Sequence, residues 1–504
     1  MTAATEPGHV HRRAPEHVYV DVGVVRVQSY LSRTSSLRGH RAASHTLAAA
    51  TAREAVERAV DGLAEVNAEA GEVDGVVSMR FDVVPDEDPA PRVRLVQDAV
   101  LARLRQALPA AEFTSVWGRG TSYVEVYQRQ MKPRIGSGEV RYDLPPPAEF
   151  PLAAPCRTCH VGPAAGEAAV TGSRRQLCPD CLQRNIPRDT MLDDGGTPEG
   201  RLVRDLGLDR PPEMFPALAA LGGGEGNHLA TVAADGNAFG EFFGELARQG
   251  SLDPGLRQAK EELSAKLSQA TRDALQETVY DLHIEYDYVQ LCVIPHVVGG
   301  DDVLLSMPAD WAWKFTITFL QRFHASVREA TAELIDRLNG DRTRTGRPGL
   351  VPPTASAGVV FSHHKEPLNL LRESAYDRMA EAKREAKGRQ SSIQWLDLTA
   401  DGPDAPRHRP VLLAKLRTPA GEPTDADRAL SRLAGVPPAH RSRLAGVLRD
   451  RGPLTAAAVE SRRVGHWEAV RPFLPPLDGP PDGEPPCGIG LGAALGMARR
   501  WPCA

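Results

Sequence analysis

No stretch of this 504-residue chain approaches the roughly 20 consecutive apolar residues of a membrane span; even Gly488 to Ala498 is too short and too rich in glycine. The opening residues, MTAATEPGHVHRRAPEH, lack the apolar core of a secretory leader, so a cytoplasmic protein with no membrane partner is expected. Cysteine is scarce: 7 residues exclude a disulfide scaffold in a chain of this length. Charge of one sign is not in excess either. With 60 Lys and Arg against 65 Asp and Glu, the formal net charge is -5, and no global basic field is available to hold nucleic acid. Any RNA or DNA contact has to be local or supplied by partners.

The chain is longer than one hydrophobic core usually supports, and its residues divide it into segments. Residues 1–16 read as a disordered polar tail, and 17–145 as a first α+β unit of ferredoxin-like size. In that unit Val18 to Val24 and Val76 to Val84 read as strands, Ser44 to Ala68 and Arg92 to Ala107 as helices, and Phe113 to Val126 as two short strands around Gly118-Arg119-Gly120. Residues 146–199 hold a proline-rich linker and then Cys156-x-x-Cys159 and Cys178-x-x-Cys181. Two such pairs at this separation are the pattern of a zinc ribbon, in which each knuckle presents two thiolates to a tetrahedral ion. Four cysteines leave no position for water, so the Zn2+ is structural, and His160 is left as a surface residue. Cys292, Cys487 and Cys503 read as inert thiols.

Residues 200–400 form a second α+β unit. His228 to Ala234 reads as a strand that ends at Asp235-Gly236-Asn237-Ala238-Phe239-Gly240, and a helix follows with Leu256, Leu263, Leu267, Ala270 and Ala274 on one face. Leu291 to Met307, LCVIPHVVGGDDVLLSM, reads as a hairpin whose tight turn is Gly299-Gly300-Asp301-Asp302. Then come a helix with Phe315, Phe319, Phe323 and Val327 on one stripe, a strand from Ala355 to Phe361, a helix through Lys383 and a closing strand from Ile393 to Leu398. Residues 401–504 read as short helices broken by prolines, with no catalytic constellation. The fold class expected is α+β, with two ferredoxin-like palm domains, an inserted zinc ribbon and a C-terminal helical domain.

Taken alone, Gly-Gly-Asp-Asp describes an ordinary turn as readily as a site. The order β-α-β-β-α-β changes its weight, because the first and third strands are then central neighbours and the end of the Asp235 strand lies beside Asp301 and Asp302. Three carboxylates converging in this way repel one another unless a cation neutralises them, and hard oxygen ligands select Mg2+ or Mn2+.

These pieces together resemble the large palm-domain subunit of type III CRISPR effector complexes. The resemblance is carried by VQSYLSRTSSLRGHRAAS (Val27 to Ser44), the four-cysteine ribbon, ATVAADGNAFGEFF (Ala230 to Phe243), VVGGDDVLLSMP (Val297 to Pro308), SAGVVFSHHKEPL (Ser356 to Leu368) and AKREAKGRQ (Ala382 to Gln390). It implies a nucleotidyltransferase that joins ATP into cyclic oligoadenylate by two-metal catalysis when guide RNA pairs with target RNA. Asp235, Asp301 and Asp302 are then the metal-binding catalytic acids, and Gly236, Gly240, Gly299, Gly300 and Lys383 the nucleotide-binding residues. His363, His364 and Lys365 match a family motif to which a structural role is equally open. Arg33, Arg38 and Arg41 are candidate contacts to RNA or to a sister subunit. Two departures stand out: Asn237 occupies a place where family members often carry a second acid, and no His-Asp pair marks a nuclease domain, so DNA cleavage is not expected. Two other readings fit the same residues. One is a palm cyclase independent of CRISPR, against whose diguanylate-cyclase form the ribbon and first palm argue; the other is a non-catalytic scaffold, against which the intact acids argue.

Overall fold

The run His17 to Val22 has the β-branched and aromatic content of a strand covered on both faces, and in the computed structural model it opens the central strand of a five-stranded sheet. The structure describes residues 16–34, 36–70, 75–84, 87–145, 153–170, 172–187, 190–191, 197–223, 227–250, 254–402, 408–449, 454–476 and 483–502. The tail expected at 1–16, save its last residue, lies outside them, as do most of the proline-rich linker and Cys503. The chain forms two units, Met1–Leu31 with Thr46–Asn185, and Ser32–His45 with Ile186–Ala504.

The elements of the first unit run β1 (His17–Val25), α1 (Leu37–Thr51, shared between the units), α2 (Arg53–Val60), β2 (Glu65–Val66), β3 (Val76–Asp82), α3 (Ala90–Ala107), β4 (Glu112–Gly120) and β5 (Arg141–Asp143). Their antiparallel order β2-β3-β1-β4 is ferredoxin-like, with β5 added at the edge. The single helix expected over Ser44 to Ala68 is instead two helices and a short strand. Asp61 and Gly62 take left-handed backbone (φ 38° and 76°), which ends α2. Phe113 to Val126 is likewise one strand followed by a short helix, Tyr123–Val126. The reason lies at Gly118 and Gly120, which are not a turn: a Cβ on either would run into the Val126 side chain, so they are the bare surface on which that helix lies. The cysteines follow around a hairpin of β6 (Gly166–Val170) and β7 (Ser173–Leu177).

In the second unit α4 (Pro198–Leu206) precedes β8 (His228–Asn237), α5 (Phe239–Gly250), α6 (Pro254–Tyr286), β9 (Ile294–Gly299), β10 (Asp302–Pro308), α7 (Ala312–Arg344), β11 (Thr354–His363), α8 (Leu368–Glu385) and β12 (Ser392–Asp397). The sheet order β11-β8-β10-β9 reproduces the palm arrangement, and β12 extends it parallel to β11. One face, through Val232 and Ala234, packs on the phenylalanine stripe of α7; the other, through Ala233, Leu304 and Val360, packs on Leu371, Ala375 and Met379 of α8. The C-terminal helices α9 (Asp425–Ala434), α10 (Pro438–Arg449), α11 (Leu454–Arg463) and α12 (Leu491–Met497) share the palm's core. Trp501 meets Trp313 of α7, and β13 (Val411–Leu412) pairs with β12 at the sheet edge.

The segment Ser32–His45 brings Arg41 into this unit, where its guanidinium donates to both Glu199 carboxylate oxygens at 2.5 and 2.6 Å. Arg41 is 6% exposed and Glu199 1%, so Arg41 serves the interior and not an RNA or a sister subunit, a correction to the sequence expectation. Removing either partner would leave a buried charge, a loss of about 3–5 kcal/mol. Arg38 donates to the Ile186 carbonyl at 3.4 Å.

Asp21, in the middle of β1, is also buried; the Tyr123 hydroxyl donates to it at 2.9 Å. Burial outweighs the hydrogen bonds from Ser78 and Tyr123 and pushes its carboxyl up to about 6. A carboxyl raised on folding contributes stability at pH below the ordinary carboxylate range and loses that contribution as pH rises through 6. Asp21→Asn removes the loss. Its melting temperature, compared with wild type, is expected to match near pH 4 and to exceed it by an amount that grows up to pH 7, equivalent to about 3 kcal/mol at most. A difference independent of pH would contradict this.

Candidate functional site

Antiparallel pairing of β8 with β10 in the register Val303 to Ala234 puts Asp302 beside Asp235 at the end of the palm sheet. The hairpin between Gly299 and Asp302 has only Gly300 and Asp301 in its loop, and Gly300 supplies the positive φ, 57°, that a tight turn with a bare first residue requires. The Gly300 carbonyl accepts from the Thr271 hydroxyl of α6 at 2.6 Å, which fixes the turn to a long helix. A Cβ on Gly300 or Gly240 would meet open space. Gly236 is different, because a Cβ there would run into the Asp301 carboxylate and the Phe239 ring. Its bareness serves this chain's own Asp301.

Asp301 therefore lies against the end of β8. Burial, and after it the Asp235 carboxylate, raise its pKa, with Lys383 opposing the rise. Lys383 projects from the last turn of α8 and makes an ion pair with Asp235 while donating to the Gly236 carbonyl at 2.8 Å. Its reach depends on Gly358 of β11, where a Cβ would run into the Ala375 carbonyl and the Met379 amide; bare backbone there lets α8 settle directly on the sheet. Tyr376, two turns before Lys383 on the same face, has its phenol pushed up by burial and by the charges of Asp302 and Asp235, with Arg372 opposing. Neither Tyr376 nor Thr271 was singled out from sequence, although Tyr376 falls on the stripe Ala375, Met379, Lys383 that a helix drawn at 3.6 residues per turn displays.

Asn237 does not join the acids. It is 2% exposed, and the Thr354 hydroxyl, the Ser356 hydroxyl and the Gln390 carbonyl lie 3.0, 2.9 and 3.1 Å from its amide nitrogen. Ser356 continues to Ser392 at 2.9 Å, and Ser392 donates to the Ala382 carbonyl at 2.8 Å, next to Lys383. This buried chain ties the ends of β8, β11 and β12 to the turn of α8 that carries the lysine. His363 and His364 lie at the other end of the sheet: His363 pairs with His228, seven residues before Asp235, or about 23 Å along the strand. Their rings are 4.3 Å apart, and the Lys365 amide donates to His363 Nδ1 at 3.2 Å.

In the first unit Cys156, Cys159, Cys178 and Cys181 are all buried, and their sulfurs lie within 4.8 Å of one another, a set able to hold a metal ion. Hydrogen bonds from Cys178 and Cys181 hold the Cys159 thiol well below its usual value. His160 is exposed with φ 58° and stands outside the set. Among the described residues the palm acids do not close into a comparable set; Lys383 is the cation at Asp235.

Residues 228–393 match the family model of the Cas10/Cmr2 second palm domain. No curated protein matches the sequence. Among solved structures the chain is similar to Csm1 of T. onnurineus (12% identity, TM-score 0.54, covering 97% of this chain and 70% of that one). It is also similar to a Csm1-Csm4 cassette in complex with cA4 (14% identity, TM-score 0.53, 98% and 71%) and to one in complex with one ATP (12%, 0.52, 97% and 70%). Residues 228–393 thus match the second palm domain of the Cas10/Cmr2 family, in a chain whose fold is similar to that of Csm1.

Proposed function

We propose that this chain is the nucleotide-cyclising subunit of a type III CRISPR effector complex, which joins ATP into cyclic oligoadenylate once guide RNA has paired with target RNA. The observation that carries the proposal is Asp301 held against Asp235, its carboxyl raised by burial and by that neighbour, at the sheet end where the Lys383 ammonium opposes the rise. Csm1-Csm4 cassettes of the same fold hold ATP, pppApA and cA4, which supports ATP as substrate and a Csm4-like subunit as partner. Guide and target RNA would be met largely through the complex.

The donor set fits a hard divalent cation, since carboxylates crowded to the point of raising a pKa are relieved by one. Asp235, Asp301 and Asp302 would hold Mg2+ or Mn2+, which supplies charge stabilisation at the α-phosphate and acidity at the attacking 3′-hydroxyl. The chain's own residues do the rest. Lys383, released from Asp235, keeps its bond to the Gly236 carbonyl and turns its remaining donors to phosphate oxygens. Gly300, with open space where a side chain would stand, lets a triphosphate approach the hairpin backbone, and Thr271 keeps that backbone in place. Gly240 and Gly299 are the further backbone contacts proposed for the nucleotide. The Cys156, Cys159, Cys178 and Cys181 set would hold structural Zn2+.

Three outcomes test this reading. Asp301→Ala with Asp302→Ala is expected to abolish conversion of labelled ATP by the RNA-bound complex while zinc content and subunit assembly stay at wild-type values; loss of folding in that variant, or undiminished synthesis, would contradict the assignment. Lys383→Ala is expected to slow synthesis at least tenfold without weakening Mn2+ binding, since it removes a phosphate contact and frees Asp235; equal rates would remove the lysine from the reaction. Elemental analysis is expected to find one zinc per chain, lost in Cys178→Ser with Cys181→Ser, and a metal-free wild-type protein would overturn the ribbon assignment.

A further inference from the structure

A pocket of about 600 Å3 opens in the second unit between α7, the loop that follows α8 and the segment after β13. Its wall carries Arg322, Arg328, Arg389, Arg417 and His324, and no carboxylate. In a chain of net charge -5, four guanidinium groups line this concavity, and those without carboxylate partners make it locally positive. Two of the four are already engaged. Arg322 is paired with Glu277 and Asp281 at 2.7 and 2.6 Å, and Arg417 with Asp427 at 2.8 Å. Arg328 and Arg389 face the pocket without such partners among the described residues. Burial, and then the Arg328 charge, lower the His324 pKa, so its ring is neutral and able both to donate and to accept.

The rest of the lining matches a small phosphorylated ligand. Val351, Pro352 and Leu413 give an apolar side, while Gln321 and Gln390 offer amides. The volume lies in the range of pockets that enclose a small molecule. A groove for single-stranded RNA carries stacked aromatic platforms, and this lining has no Phe, Tyr or Trp. None of Asp235, Asp301, Asp302 or Lys383 lines it. Its floor nevertheless reaches the palm, because Thr354 and Gln390 both line the pocket and accept from the Asn237 amide, two residues beyond Asp235.

We infer that this pocket is a mononucleotide-binding site separate from the palm acids, taking phosphate oxygens on Arg328 and Arg389 and the base against the Val351 and Pro352 side. The assignment stands on the pocket alone and does not depend on the cyclase reading. Occupancy would bear on the Asn237 hydrogen bonds, and so on the strand end that carries Asp235.

The test is equilibrium dialysis of the full-length protein with labelled ATP and with labelled AMP in excess EDTA, where the palm acids lack the cation that would seat a triphosphate. The expected result is saturable binding that Arg328→Ala with Arg389→Ala weakens at least tenfold and Lys383→Ala leaves unchanged. Photocrosslinking of wild-type protein with azido-ATP in the same buffer should label the stretch from Thr318 to Arg328 or from Leu413 to Gly421, so the outcome does not hang on a variant that folds. No binding in EDTA, binding indifferent to the two arginines, crosslinks confined to the palm hairpin, or tighter capture of a single-stranded RNA oligomer than of ATP through the same arginines would each overturn the assignment.

Discussion

The palm site depends on the contact of α8 with bare backbone at Gly358. A helix normally stands off a sheet by the thickness of its side chains, and here a methyl group on β11 would already collide with the helix backbone at Ala375 and Met379. With the helix seated this low, Lys383 in its last turn reaches Asp235 and the Gly236 carbonyl. Tyr376 comes close enough to Asp302 and Asp235 for its phenol to feel both charges. The same logic recurs at Gly236, whose missing side chain is the space that Asp301 and Phe239 fill. Both glycines act through close approach and not through unusual backbone.

Electrostatics then decides what this geometry is for. Two carboxylates in contact at a half-buried strand end are unstable together, and the raised pKa of Asp301 expresses that cost. Lys383 offsets it in part, so under the proposed function the lysine and an incoming divalent cation would compete for Asp235. The buried chain from Asn237 through Ser356 and Ser392 to Ala382 holds the last turn of α8 in register with the strands, which gives the departure at Asn237 a physical meaning. The amide nitrogen there can donate to the Gln390 carbonyl, which a carboxylate, having no proton to give, would leave without a donor.

Much of this was legible from residue pattern. The order of strands and helices from His228 to Asp397 was readable because long apolar runs alternate with long helical ones, and it led to the sheet order in which Asp235 and Asp302 are neighbours. The cysteine ligand set was readable from spacing alone. Close approach was not, since a glycine that admits another element looks in sequence like a glycine that turns: Gly118 and Gly120 suggested a loop and are the seat of a helix. Long-range pairing was equally hidden. Nothing near Arg41 announces Glu199, and an arginine in a basic stretch reads as exposed until its partner is placed. The C-terminal helices are similar, because whether they own a core or share one is set by Trp313, Trp395 and Trp501, far apart in the chain and joined only in the fold.

Under the proposed function a divalent cation would take Asp235 from Lys383 and be held by all three acids. The most direct measurement is anomalous diffraction at the manganese edge from crystals grown with Mn2+ and a non-hydrolysable ATP analogue. The expected result is an anomalous peak bounded by Asp235, Asp301 and Asp302, with Lys383 Nζ moved from the Asp235 carboxylate to a phosphate oxygen. Bound nucleotide with no manganese at these acids, and Lys383 still on Asp235, would contradict it.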